Sequence, residues 1–517
     1  MSSTPPSSPP PPSSTSATPP ASPSVTTRRR SLHQTAPAQA PSSSQGTPVS
    51  RRGVERRSID VVPAAERTGT PTSQFTLWFG ANMQITAVVD GALAVVFGAD
   101  ALWAIIGLLL GNIAGGIVMA LHSAQGPRLG LPQMISSRAQ FGVYGAALPL
   151  VLVVLMYLGF ASTGTVLSGQ AINHMLRTDI PAVGILVFGV LTVVVATFGY
   201  HYIHMLGRIA TVTGILGFGY LFVQLLSQHS LSDLLGQRPF DLATFLLAMS
   251  VSAGWQLVYG PYVADYSRYL PANTPESHTF AGTFLGSVVG SQIAMTLGAL
   301  IAAYSGKAFV ANQVGALGDL AGPAVMAFVI YLVIVVGKLA VNCLNAYGGF
   351  MTILTTISGF TGRDRISRST RALLIGAFVL VSLLVALLAS KDFIDNFKNF
   401  ILVLLMVFTP WSAINLVDYY LVSKERVDIP ALYDPRGRYG AWNTGALVTY
   451  VIGIVVQIPF LAQKLYTGPF TEMLGGVDIS WIVGLVVTAG IYYPLAQRQR
   501  LAPDRMIYPP GRTADDH

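Results

Sequence analysis

The chain has 517 residues, of which 52% are hydrophobic and only 10% charged. Ordinary globular domains carry about a quarter charged residues, so this composition excludes a soluble body of the same size. Net charge is +8, and the one cysteine, Cys343, lies in an apolar run and excludes an intrachain disulfide. Apolar runs repeatedly reach the roughly 18–20 residues that span a bilayer as a helix. The expected class is an all-α polytopic membrane protein.

The first fifty residues hold 12 Pro and 14 Ser and no apolar h-region, so they form neither a core nor a signal peptide. Residues 1–70 are expected to be a disordered cytoplasmic Pro/Ser/Arg-rich tail. It carries Arg28, Arg29, Arg30, Arg51, Arg52, Arg56, Arg57 and Arg67, suited to an anionic inner membrane surface. Residues 71–500 are expected to form a twelve-helix domain, and 501–517 a cytoplasmic C-terminal tail. The predicted spans are 75–97, 101–121, 145–174, 181–199, 209–227, 242–264, 280–304, 323–348, 372–389, 399–421, 443–462 and 479–495. With both termini inside, 24 of the Lys and Arg residues fall on the cytoplasmic side and 6 outside, as the positive-inside rule requires. The remaining cation, Lys338, lies in the middle of the eighth span. Asp90 lies in the first. An ionisable group at membrane depth is costly, which marks both as candidates for ion coupling.

Between the second and third spans runs QGPRLGLPQMISSRAQFGVYGAALP, residues 125–149. Gly126, Pro127, Gly130 and Pro132 are expected to limit helix continuation. Ser136, Ser137 and Arg138 can bond carbonyls of neighbouring helices, the rigid guanidinium fork above all. The stretch is expected to be a structured inner latch.

This stretch resembles the signature of the nucleobase–cation symporters, purine–cytosine permease branch, with Gly126, Pro127, Gly130, Met134, Ser137, Arg138, Phe141, Gly142 and Gly145 at the matching positions. WFGANMQ (78–84), YVADYSRYLP (262–271, with Asp265) and TPWSAINLVDYYLV (409–422) resemble the family's first, sixth and tenth helices. The resemblance covers about residues 75–500. It implies a LeuT-like fold of two inverted repeats of five helices plus two accessory helices, with the first and sixth spans broken at mid-membrane. Asn82, Gln84 and Asp90–Gly91 in the first span, and Gly254, Gly260 and Pro261 in the sixth, are the candidate break positions.

A nucleobase is a flat heterocycle with donors and acceptors on its edges, so a site for it needs aromatic faces and amide partners. The resemblance assigns one face to Phe160, and Trp255 supplies the second. Asn342, with Asn345 a turn away, supplies amides on the eighth span. Asn82, Gln84 and Gly254 complete the expected site. Related fungal transporters carry an asparagine four residues after the stacking aromatic, where this chain has Gly164, and a glutamate after the fourth helix, where it reads His204-Met205-Leu206-Gly207-Arg208. Sodium-coupled relatives use hydroxyls of the eighth helix, where this chain has Val336, Gly337, Leu339 and Ala340.

The function expected is uptake of a nucleobase, cytosine or a purine, by a plasma-membrane symporter coupled to protons, with sodium as the alternative ion. The same machine for hydantoin, allantoin or a heteroaromatic vitamin, and a transporter-fold sensor or channel, stay open. An enzyme is not expected: there is no HExxH, nucleophile elbow or paired intramembrane carboxylate. No cofactor, metal site or nucleic-acid partner is expected. Contacts are with membrane lipids, and the chain is expected to be a monomer or weak oligomer.

Overall fold

The computed structural model describes residues 61–198, 200–361, 367–463 and 466–509. Most of the expected disordered tail, Arg363, Arg365, Lys464 and residues 510–517 lie outside the described residues, as do the side chains of His204 and Met205.

Helix α1 (Pro71–Asn82) begins on a capping box: Thr70 Oγ1 accepts from Ser73 N, and Ser73 Oγ accepts from Thr70 N. Pro71 at its first position has no N–H to leave unpaired. The chain breaks at Met83 and resumes as α2 (Ile85–Val96) behind Gln84. There follow α3 (Ala101–Leu129), the short α4 (Gln133–Ser136) and α5 (Arg138–Phe141), then α6 (Ala147–Leu176), α7 (Pro181–Phe198), α8 (Tyr200–Gln228) and α9 (Leu231–Leu234). A second broken pair is α10 (Leu242–Leu257) and α11 (Gly260–Ser267). Next come α12 (Glu276–Ser305), α13 (Lys307–Ala311), α14 (Gln313–Ala321), the long α15 (Ala324–Thr361), α16 (Arg368–Ala389) and α17 (Phe393–Leu416), which runs on as a π-helical turn over Val417–Val422. The last are α18 (Thr444–Val455), α19 (Pro469–Met473) and α20 (Ser480–Gln499).

Among the described residues, eight helices are long and apolar enough to cross a membrane, or ten if each bent pair is one span. The bends are 61° between α1 and α2 and 42° between α10 and α11. Pro181–Ala196 and Thr444–Phe460 are shorter apolar stretches, and each predicted span overlaps one of these elements. Outward faces carry Leu110, Val190, Val223 and Leu388, the last 82% exposed. Water would penalise such a surface; lipid does not.

Without a hydrophobic drive between helices in lipid, close approach depends on small residues. Gly107, Gly111 and Gly115 of α3 each meet a carbonyl of α10, from Phe245, Met249 and Ala253. Gly282, Gly286 and Gly290 of α12 likewise meet Pro71, Phe75 and Phe79 of α1. These rows join α3 to α10 and α12 to α1; α12 also packs on α2 and α3, and α15 on α6 and α8.

Three expectations change. Gly126 and Pro127 do not stop α3, which continues to Leu129 and ends at Gly130, whose φ of 63° suits glycine. Gly126 is a contact residue instead, its missing Cβ leaving room for Ser267 Oγ. Asp90–Gly91 and Gly254 remain helical, and the breaks fall at Met83–Gln84 and just before Gly260–Pro261. Finally, residues 61–70 are not free: Val62 is fully buried, and Val62 N donates to Gly130 O at 3.0 Å. Arg67, 4% exposed, donates to Val62 O and Pro127 O. Apolar Val61 and a guanidinium spent on carbonyls explain why this part of the tail packs. Residues 501–509 also return, with Ile507 bonded to Val427 and Ile429.

Candidate functional site

Broken helices expose backbone and side-chain polar groups that an intact span would hide. At the α1–α2 break, Asn82 is fully buried. Its Nδ2 donates to Trp78 O and Ser287 Oγ, and its Oδ1 accepts from Trp255 Nε1 at 2.6 Å and Tyr259 OH at 3.3 Å. The two broken helices are thus tied to each other through one amide.

Gln84, the residue that caps α2, donates to Ala81 O and turns its Oε1 to Lys338 of α15. Lys338 is 1% exposed, and its Nζ donates to Gln84 Oε1 at 3.0 Å and Thr86 Oγ1 at 2.7 Å. The lysine does not reach toward a helix end; its ammonium sits on the break. One turn along α15, Asn342 Nδ2 donates to Ala161 O and Thr165 Oγ1 of α6, while Asn342 Oδ1 has no partner among the described residues. Asn345 Nδ2 is likewise without one. A buried amide atom left unpaired costs about 1–3 kcal/mol, so each of these two atoms carries an unmet hydrogen bond.

Phe160 and Trp255 touch, with ring centroids 5.8 Å apart and planes at 89°. The two expected stacking faces are therefore perpendicular in this conformation, not parallel. Phe400 of α17 adds a third ring, 5.2 Å from Phe160 at 78°. A flat ligand lying on one of these rings meets the edge of the next. Gly254 brings α10 against Ile401 and Leu405 of α17. Gly164 packs against both Lys338 and Asn342. Asn82, Gln84, Phe160, Gly164, Trp255, Lys338 and Asn342 thus form one connected group at the two breaks. Asp90, one turn beyond Thr86 on the same face of α2, is fully buried, and neither carboxylate oxygen has a hydrogen-bond partner among the described residues.

Arg138, Ser137 and Asp265 belong to a second group, around the loop that follows α3. Arg138, 3% exposed, donates to Leu432 O and Thr355 O. Ser137 Oγ accepts from Trp411 Nε1, and Asp265 Oδ1 accepts from Gln133 N at 2.9 Å. Ser136 and Ser137 donate back to Gln133 O, within their own turn. The loop also feeds a buried polar chain. His122 lies between Gln133 and Ser412 and stacks on Trp411. Gln125 donates to Asn415 and Asn415 to Gln140. Gln140 donates to Asp418 in the π-helical turn, which also accepts from Tyr492. Arg128 pairs with Glu425 and with Glu276 at 3.6 Å.

Sequence reading missed Thr86, Tyr259, Phe400 and Thr165 near the breaks, and His122, Gln133, Gln140, Asn415 and Asp418 in the second group. Only Asp418 carried a signal, a carboxylate close to an apolar run.

Residues 61–484 match the sequence profile of a family described as permeases for cytosine/purines, uracil, thiamine and allantoin. A Bacillus subtilis protein named as a purine-cytosine permease, YxlA, is 39% identical over 86% of this chain and 96% of its own. The purine-cytosine permease fcyB of Emericella nidulans is 26% identical over 85% and 87%. Among solved structures, the inward-facing conformation of Mhp1 superposes with a TM-score of 0.72 at 20% identity, covering 89% of this chain and all of that one. A closed conformation of Mhp1, a nucleobase-cation-symport-1 family transporter with bromovinylhydantoin bound, gives 0.69. At that identity the likeness shows the fold.

Proposed function

The chain belongs to the family of permeases for cytosine/purines, uracil, thiamine and allantoin, and from that premise we propose that it imports a nucleobase, cytosine or a purine, by cation-coupled alternating access. It is a multi-pass membrane transporter of the nucleobase-permease type, not an enzyme. The observation that carries the finer reading is the connected group at the two helix breaks. Three aromatic rings border it, and the unpaired Asn342 Oδ1 and Asn345 Nδ2 can accept from and donate to the edge of a heterocycle.

Twelve spans in two inverted sets of five plus two, with both termini cytoplasmic in a plasma membrane, is the topology that goes with this reading. The arginine and lysine distribution supports it. The coupling ion proposed is the proton. Lys338 and Asp90 are the ionisable groups at membrane depth by the break, and Asp90 has an unpartnered carboxylate that a proton would neutralise. In the cycle, substrate would bind while the inner polar chain is closed. Release would require Arg138, Gln133 and Asp418 to part from their partners across the cytoplasmic end.

A thermal-shift screen tests the ligand. Cytosine and purines are expected to raise the melting temperature in a concentration-dependent way, more than hydantoin, allantoin or vitamins. A shift with the latter group alone would move the assignment to them. Uptake into vesicles with imposed gradients tests the ion: accumulation driven by sodium at zero pH gradient and indifferent to a protonophore would refute proton coupling.

A further inference from the structure

A monovalent cation at a helix break needs oxygen ligands, and the donor set here does not fit a bound sodium ion. The four neighbours Val336, Gly337, Leu339 and Ala340 bring no side-chain oxygen; at the break, Gln84 Oε1 and Thr86 Oγ1 already accept from the Lys338 ammonium, and Asn82 Oδ1 from Trp255 and Tyr259. A second cation beside that ammonium, itself only 1% exposed, would meet like-charge repulsion with little water to screen it.

The lysine is held in place by a glycine on another helix. A Cβ at Gly164 would overlap Asn342 Oδ1 and crowd Lys338 Cε, so the bare backbone of α6 forms the wall along which the lysine stem runs. A longer side chain at this position would have to displace Asn342 Oδ1 and the end of the lysine stem. Glycine at 164 and lysine at 338 are therefore one structural feature on two helices.

We propose that Lys338 is the chain's own resident cation: its ammonium, seated on Gln84 and Thr86 and admitted by Gly164, pins the broken first span to α15 and stands where a metal cation would otherwise have to bind. The inference deepens the transporter reading above and rests on it for the functional arm of its test only. The lysine acts here as a positioning residue, setting the shape of the break, and the carrier closes around its substrate with no bound sodium.

The test begins without substrate. In the purified full-length protein, Lys338→Ala removes the stem and ammonium and leaves a space that n-propylammonium restores almost atom for atom. Propylammonium is expected to raise the melting temperature of Lys338→Ala but not of the wild type. Tetramethylammonium, with the same charge and no N–H to donate, is expected to raise neither. Sodium in place of choline should leave the wild type unshifted. In proteoliposomes, exchange of labelled cytosine by Lys338→Ala should fall by about ten- to a hundredfold, the scale for losing hydrogen bonds to a charged group. It should recover in propylammonium. Thr86→Val, which keeps shape and fold while removing one acceptor, should lose exchange in part and should not recover with the amine. The proposal is overturned by a sodium-induced shift in the wild type, by a folded Lys338→Ala that propylammonium leaves unshifted, or by wild-type exchange in Thr86→Val. If Lys338→Ala does not fold, the sodium and Thr86→Val arms decide. If the thermal arm holds while no cytosine exchange is seen in the wild type, the substrate assignment fails and the resident cation stands.

Discussion

Asn342 is the residue on which recognition is expected to turn. Its Nδ2 holds α6 through Ala161 O and Thr165 Oγ1, which leaves Oδ1 for a ligand. Asn342→Ala is expected to abolish uptake while the protein still reaches the membrane; wild-type uptake by a surface-localised variant would remove Asn342 from the site. Phe160→Ala and Trp255→Ala should each weaken binding by about 1–3 kcal/mol, the scale of base–aromatic stacking. The two should differ in kind, because Trp255 also donates to Asn82 at 2.6 Å. Trp255→Phe keeps a ring and loses that bond, so calorimetry is expected to find an intermediate loss; wild-type affinity in that variant would make the Asn82 contact irrelevant to binding. The sequence made some of this visible. Asn342, Gln84 and Lys338 stand out because polar groups in apolar runs are costly. Thr86 and Tyr259 did not, since one hydroxyl among apolar neighbours costs little and its partner lies on a distant helix. The perpendicular planes of Phe160 and Trp255 depend on packing against Phe400, which no local pattern encodes.

At the scale of elements, both breaks were visible, the second in Gly260–Pro261 and the first in the polar pair Asn82 and Gln84 that flanks Met83. Met83–Gln84 has neither glycine nor proline; it breaks because Asn82 and Gln84 spend their amides on other helices. Asp90–Gly91 looked like a hinge and is a packing contact instead, Gly91 lying against the backbone of Met295. The four-residue glycine rows of α3 and α12 went unread because their partners, α10 and α1, are far off in sequence. The turn between α2 and α3 offers a test of element capping. Burial disfavours the charged form of Asp100, but the backbone N–H groups of Arg238, Gly236, Leu102 and Gln237 outweigh it and hold the carboxyl below its ordinary range. The folded state therefore binds the proton less readily than the unfolded one. The resulting stability is present in full at neutral pH and is lost as the pH falls through that lowered value. Asp100→Asn is expected to cost about 1–3 kcal/mol at neutral pH, the scale of hydrogen bonds to a charged group. The difference from wild type should close in strong acid. A gap that stays constant with pH would show that the carboxylate charge contributes nothing.

Across the whole molecule, hydropathy gave the positions and order of the apolar runs, because a bilayer sets their length and a helix satisfies their backbone. It also marked the loop after α3, whose glycines, prolines and arginines have no place in lipid. What that loop does was hidden: Gln125, Gln133 and Gln140 each find a buried partner hundreds of residues away or across a turn, and no periodicity announces such a pairing. If this polar chain is the inner closure, Arg138→Lys is expected to favour the inward-open state. A lysine keeps the charge and loses the fork that joins Leu432 O to Thr355 O. Thiol labelling of a cysteine placed at Thr355 should quicken, and an unchanged rate would assign Arg138 to stability alone. The central claim is that the molecule is an alternating-access carrier for a nucleobase, and counterflow measures that directly. Proteoliposomes loaded with unlabelled cytosine or purine, then given a trace of the same labelled base with no ion gradient, are predicted to accumulate label transiently above its outside concentration. Label that only rises to equilibrium, as through a channel, or that does not enter for any of these bases, would contradict it.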